Sequence, residues 1–135
     1  MLKLIEDFPN HIIEGKNIAN ASSLTKPKDE IRNVVLCGMG GSGIGAKIVS
    51  DVLLQEARCS ITTVNDYFLP GFVSKNTLVV ASSYSGNTEE TLSIYNESKE
   101  ISDMIISVTT GGELELRSRS DGVDIVSIPS GFQPR

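Results

Sequence analysis

Five short apolar runs, separated by longer segments, constrain the fold of this chain more than any other feature of its sequence. Most of them are rich in valine, isoleucine or threonine, which favour β-strands. Near-continuous apolarity at 34–36 and 78–80 indicates strands buried on both faces. Alternation of such strands with helical segments is typical of a parallel sheet covered by helices. The sequence therefore predicts an α/β fold with strands at 33–37, 60–65, 77–83, 104–109 and 123–128.

The segments between these strands carry apolar residues at helical spacing. An amphipathic helix is predicted over residues 3–20, where Pro9 indicates a break or a fresh start. Helices are also expected at 44–56 and 88–100, whereas the last crossover, around 113–118, is short.

Length and composition indicate one ordinary domain over residues 1–135, with its core expected at 31–129. At 39% hydrophobic and 21% charged residues, the chain is typical of globular proteins. The net charge of −5 argues against a nucleic-acid partner, which is usually bound by a basic surface. The net charge does not exclude a small anion that is bound locally.

No apolar run approaches the roughly 20 residues that span a bilayer, and residues 1–7 include acids where a signal peptide is apolar. We therefore expect no membrane partner and a cytoplasmic protein. Cys37 and Cys59 lack metal-ligand spacing and are expected to be reduced thiols. The sequence predicts neither a metal site nor a cofactor.

Two loops rich in glycine and hydroxyl residues follow the first and third predicted strands. The first reads GMGGSGIGA at 38–46, and the second reads ASSYSGNTEET at 81–91. Ligands of open parallel sheets bind beyond the carboxyl ends of the strands, where the strand order reverses. Glycine lets backbone N–H groups approach an anion, and each following helix adds about half a positive charge at its N-terminus.

Hydroxyl side chains of these loops are candidates for binding phosphate. Charge-assisted hydrogen bonds from such groups contribute about 1.5–3 kcal/mol each. We expect the donors to be Ser42, Ser83, Ser85 and Thr88. Helix capping is the alternative for part of the second loop, because Asn87 and Glu90 have the spacing of a capping box. Capping gives no role to the serines that precede it.

The first loop also satisfies parts of other motifs. Residues 38–43 match the G-x-G-x-x-G pattern of dinucleotide-binding domains, with Asp66 placed to bind a ribose, but this leaves the second loop without a role. A nucleoside-triphosphate loop requires a lysine where Ala46 stands. A serine-hydrolase elbow around Ser42 lacks its last glycine, and the only histidine, His11, precedes it.

Three motifs resemble one family, the sugar isomerase (SIS) domain, and more narrowly the bifunctional phosphoglucose/phosphomannose isomerases. SYSGNTEET at 83–91 indicates a SIS domain, and GMGGSGIG at 38–45 with GFQPR at 131–135 indicates the narrower family. The resemblance implies a three-layer αβα sandwich of flavodoxin-like topology. It also implies that this chain is the N-terminal half of a protein with two SIS domains, a homodimer that acts in glycolysis and gluconeogenesis.

The resemblance further implies a glucose, fructose or mannose 6-phosphate as substrate and no cofactor. Arg135 matches an arginine near the reacting carbons, which would stabilise an enediolate intermediate. The expected phosphate-binding residues are Gly41, Ser42, Gly43, Ser83, Ser85 and Thr88.

The acid–base residues of this family, a glutamate, a histidine and a lysine, find no match in the chain. We therefore expect aldose–ketose isomerisation by the full-length protein and none by this segment alone. The alternatives are a non-catalytic SIS sensor domain of a regulator, and a domain of an amino-sugar phosphate isomerase or synthase.

Overall fold

The computed structural model describes residues 5–131 and confirms the α/β fold with a five-stranded parallel sheet. Its strands lie in the order β2-β1-β3-β4-β5. This is the flavodoxin-like doubly wound topology, in which the strand order reverses between β1 and β3. The strands are β1 (Asn33–Cys37), β2 (Ser60–Val64), β3 (Thr77–Ser83), β4 (Met104–Thr109) and β5 (Asp124–Ser127).

The predicted strands agree closely with the observed ones. The bounds of β1, β3 and β4 are those expected, whereas β2 ends one residue early and β5 loses one residue at each end. Short runs of β-branched residues flanked by polar segments therefore define these strands well.

Among the helices of the described residues, four accompany the sheet: α1 (Phe8–Ala21), α2 (Gly40–Val52), α3 (Glu89–Ile101) and α4 (Gly112–Asp121). Parallel crossovers are right-handed, and the chain leaves β1 toward β2 in the opposite direction from β3 toward β4 and β5. For this reason α2 covers one face of the sheet, while α3 and α4 cover the other. This arrangement of helices on both faces confirms the predicted three-layer αβα sandwich.

Only one face of the sheet is fully covered within residues 5–131. Ile94 and Tyr95 of α3 and Leu114 of α4 pack on strand residues of that face and are themselves completely buried. Side chains on the opposite face are only half-buried, so the expectation of burial on both faces is wrong for that face. The buried strand residues are Val35, Cys37, Val79 and Ala81, and their half-buried neighbours are Val34, Leu36, Leu78 and Val80.

The starts of two observed helices show where the sequence prediction was incomplete. Pro9 lies in the first turn of α1, so the helix makes the fresh start that proline permits there. The second helix begins four residues before the predicted 44–56, because the glycines of the loop themselves form its first turns. Within residues 5–131, no helix combines the length and the apolar character needed to cross a membrane.

Candidate functional site

Two loops meet at the carboxyl ends of β1 and β3, where the strand order reverses. We call residues 38–43 the glycine loop and residues 83–88 the hydroxyl loop. A Cβ atom on Gly38 would lie 3.0 Å from both Ser42 Cβ and the Ser82 carbonyl oxygen. Ser42 therefore sits directly beside the end of β3, as the sequence predicts for a shared ligand site.

The glycine loop is closed by a tight contact between α2 and β1. A Cβ atom on Gly43 would lie only 2.7 Å from the carbonyl oxygen of Gly38, so no larger residue fits without a shift. The amide groups of Ser42 and Gly43 donate to the Met39 carbonyl at 3.0 and 3.3 Å. Gly40 and Gly41 form the first turn, where helix geometry gives amides no internal acceptor. Those two amides are therefore the ones that a ligand could accept from.

Asn65 also belongs to this site, although no sequence motif predicts it. In the amide orientation that satisfies its neighbours, its Nδ2 donates to the carbonyl oxygens of Gly38 at 2.9 Å and Val64 at 3.1 Å. The side chain thereby ties the glycine loop to the end of β2. The one sign of this role in the sequence is that Asn65 comes directly after a predicted strand. Gly38, the residue that it holds, lies far away in the chain, so no local motif contains both.

The hydroxyl loop places its side chains in two environments. Ser83 is 1% exposed, and its Oγ lies 2.9 Å from Thr88 Oγ1 while accepting a bond from the Gly86 amide at 3.1 Å. Ser85 is exposed, and its Oγ accepts from the Asn87 amide at 3.2 Å. A hydroxyl that accepts from the backbone still has its own proton to donate. Ser85 therefore keeps a hydroxyl proton that it can donate to a ligand, and so does whichever of Ser83 and Thr88 accepts the hydrogen bond between them.

The alternative of a capping box formed by Asn87 and Glu90 is wrong. Thr88 is the N-cap residue of α3, and no side chain caps that helix. Asn87 Oδ1 instead accepts a hydrogen bond from the Glu113 amide at 3.0 Å, in the first turn of α4. Glu90 lies in the first turn of α3 with Glu89, where acids favour the helix dipole.

The loop after β4 supports the hydroxyl loop from behind. Thr110 donates to the Tyr84 carbonyl through its amide at 3.2 Å and through Oγ1 at 2.7 Å. Gly86 has φ of +69°, and a Cβ atom there would collide with the Gly111 carbonyl oxygen. The glycine of the SYSGNT motif is thus required by this contact and by its backbone conformation.

The hydrogen-bond donors of the two loops are all neutral groups. Residues 38–43 and 83–88 contain no lysine or arginine, so hydroxyl groups and the N-termini of α2 and α3 are the donors they offer. Near the start of α3, burial and the charges of Glu90 and Glu89 raise the pKa of Tyr67.

Other predicted residues lie away from these two loops or outside the described part of the chain. Arg135 lies outside residues 5–131, so its predicted role stays a prediction. His11 lies on α1. Cys37 and Cys59 are both free, and burial raises the pKa of Cys37 to about 12. In the described range, no group of three histidine, cysteine or acidic side chains is arranged to hold a metal ion.

Comparison with known proteins gives close sequence relatives, although no protein-family model matches the chain. The chain is 41% identical over 135 residues to the bifunctional phosphoglucose/phosphomannose isomerase of Caldicellulosiruptor bescii, which covers all of this chain and 40% of that protein. It is 40% identical over 134 residues to the protein of the same name from Aquifex aeolicus, covering 98% of this chain and 40% of that protein. The chain thus spans about two fifths of the length of these relatives.

A solved structure supports the fold. The chain superposes on tagatose-6-phosphate ketose/aldose isomerase from Escherichia coli with a TM-score of 0.61 and 15% identity, covering 96% of this chain and 36% of that one. At this identity the likeness concerns the fold alone. The sequence relatives add to this: the chain matches part of proteins named bifunctional phosphoglucose/phosphomannose isomerase.

Proposed function

We propose that the glycine and hydroxyl loops together bind the phosphate group of a sugar 6-phosphate. The observation that carries this proposal is the meeting of two donor-rich loops at the point where the strand order reverses. Ser42, Ser85 and Thr88 donate through their hydroxyl groups, and Gly40 and Gly41 through their amides. Gly43 contributes as predicted by allowing close approach of the backbone, since a Cβ atom there would lie 2.7 Å from the Gly38 carbonyl oxygen. Ser83 orders Thr88 through the 2.9 Å contact between their oxygens.

The longer protein that contains this domain isomerises sugar phosphates in our proposal. Its substrates are glucose 6-phosphate and mannose 6-phosphate, each interconverted with fructose 6-phosphate. A base removes the proton from C2, an enediolate forms, and a proton is delivered to C1. Arg135 stabilises the negative charge of that intermediate. The names of the Caldicellulosiruptor bescii and Aquifex aeolicus relatives support this reaction and do not favour the sensor or amino-sugar alternatives.

The acid–base groups lie outside this chain in our proposal, on a second SIS domain or a partner subunit. The chain itself is one SIS domain over residues 1–135, and it binds substrate without turning it over. We place the full protein in the cytoplasm, in glycolysis and gluconeogenesis.

Titration with fructose 6-phosphate tests the binding site. The double variant Ser83→Ala with Ser85→Ala should bind at least tenfold more weakly than the wild-type chain, because two hydroxyls of the loop are lost. Ser120→Ala, an exposed serine on α4, is the matched control and should bind as wild type. Calorimetry or NMR measures the affinities. Equal affinity of the double variant and the control would refute the assignment.

A homodimer through the outward face of α2 is the proposed assembly. Ile44, Ile48 and Val52 are 65%, 57% and 70% exposed, although they are spaced as one apolar stripe. Lys47 and Asp51 lie beside this stripe and pair with each other at 2.8 Å, so neither charge is left without a partner next to it. The resemblance to a family of homodimers favours a second copy as the occupant.

Sedimentation velocity over a range of concentrations tests the dimer. The wild-type chain should approach twice its monomer mass as the concentration rises, and Ile48→Asp should remain monomeric. Circular dichroism of the variant checks that it folds. A wild-type chain that stays monomeric throughout would rule out this face as a dimer interface.

A further inference from the structure

The N-terminal amides of α4 donate hydrogen bonds to other parts of the protein. The first amides of a helix have no acceptor within the helix and commonly bind anions or water. In α4, the Glu113 amide donates to Asn87 Oδ1 at 3.0 Å and the Leu114 amide donates to the Gly86 carbonyl oxygen at 2.9 Å. Both acceptors belong to the hydroxyl loop, so the positive end of α4 faces the back of that loop.

A single peptide group connects α4 to the front of the loop. The carbonyl of the peptide between Gly86 and Asn87 accepts from Leu114, and its N–H donates to Ser85 Oγ at 3.2 Å. The carbonyl and N–H of a trans peptide point in opposite directions, so the group passes polarisation from one side of the loop to the other. Hydrogen bonds arranged in a chain strengthen one another. The Ser85 proton lies at the open end of this chain.

We propose that Asn87 is a positioning residue of the anion site, through which α4 strengthens the hydrogen bond that Ser85 donates to the ligand. The inference rests on the proposed function of the two loops. Asn87 contributes twice, because its backbone amide directs the Ser85 hydroxyl and its side chain holds that backbone against α4. A third helix thus contributes to anion binding without touching the anion.

Three variants of the full chain test this role by titration with fructose 6-phosphate. Asn87→Ala removes the acceptor of the Glu113 amide and should weaken binding about three- to tenfold. Asn87→Asp keeps an acceptor at this place but adds a negative charge. Asn96→Ala, an exposed asparagine on α3, is the matched control and should bind as wild type.

Salt dependence separates positioning from a general loss of structure. The charge effect of Asn87→Asp is screened at high ionic strength, so its affinity relative to wild type should recover there. The relative affinity of Asn87→Ala should not recover, since its loss is geometric. Rescue by the aspartate alone supports the proposal, and equal loss at high salt in both variants overturns it.

Amide NMR provides a second readout that a merely structural role would not move. Adding ligand to the wild-type chain should shift the Leu114 amide resonance, although Leu114 is buried behind the loop. The shift should be much smaller in Asn87→Ala. Wild-type binding with no Leu114 response would refute this inference alone, whereas a wild-type chain that does not bind would refute the proposed function with it.

Discussion

Replacing Gly43 with alanine tests how the glycine loop is held in place. The new Cβ atom would lie 2.7 Å from the Gly38 carbonyl oxygen, so α2 has to move away from β1 by several tenths of an ångström. Overpacking of this kind costs about 1–3 kcal/mol. Alanine in a helix also gains about 1 kcal/mol over glycine, which partly offsets the clash.

Gly45 is the matched control because it lies two residues later in the same helix, and a Cβ atom there would have no heavy atom within 4 Å. Gly45→Ala should raise the free energy of unfolding by about 0.5–1 kcal/mol. The helix-propensity gain is common to both variants, so Gly43→Ala should be about 1–3 kcal/mol less stable than Gly45→Ala.

Urea denaturation at a concentration where the chain is monomeric measures this difference. Gly43→Ala should also bind fructose 6-phosphate more weakly, because the shift of α2 carries Ser42 and the Gly41 amide with it. If Gly43→Ala is as stable as Gly45→Ala, the close contact between helix and strand does not exist in solution and the described glycine loop is incorrect.

Three further predictions concern the remainder of the domain. Iodoacetamide at about pH 8 should label Cys59 and leave Cys37 unmodified in the native chain, because burial raises the pKa of Cys37 to about 12; mass spectrometry of the labelled protein measures this. Hydrogen bonds from Lys99 and Tyr95 lower the pKa of Asp121, so the stability from this carboxylate is present above its unfolded pKa of about 3.9 and is lost as the pH falls below it. Lys99→Met should reduce that loss in acid denaturation curves, and unchanged curves would contradict it. Ser118→Ala breaks a 2.7 Å hydrogen bond to Ser107 in the core and should lower the free energy of unfolding by about 1–2 kcal/mol in urea, whereas exposed Ser120→Ala should not.

The strands were predictable because their signal is local. Each run of β-branched and apolar residues coincides with a strand to within one residue at either end. The start of α2 was not predictable, because glycine disfavours helices in isolation. The sequence gives no sign that packing of α2 on β1 requires glycine at this place. At Gly43 the tertiary contact with Gly38 overrode helix propensity.

The meeting of the two loops was predictable, but the hydrogen bonds within them were not. Hydroxyl groups after two neighbouring strands indicate an anion site because parallel strands end at one edge of the sheet. The partner of Asn87 is 26 residues away, on a helix whose position depends on the whole sheet. A capping rule based on neighbouring residues therefore assigned Asn87 to the wrong helix. Its side-chain oxygen does accept from an amide in the first turn of a helix, but that helix is α4.

The order of the strands explains why the three βα loops have different tasks. The loops after β1 and β3 diverge from each other because their helices lie on opposite faces, and the crevice opens between them. The loop after β4 runs to α4, on the same face as α3, so it packs directly against the hydroxyl loop. In our proposal, a ligand at the reversal point contacts the N-termini of α2 and α3, and the N-terminus of α4 acts through the hydroxyl loop. Substitutions in the first turn of α4 should accordingly change affinity less than substitutions of Ser42 or Ser85, and they should do so without altering which sugar is bound.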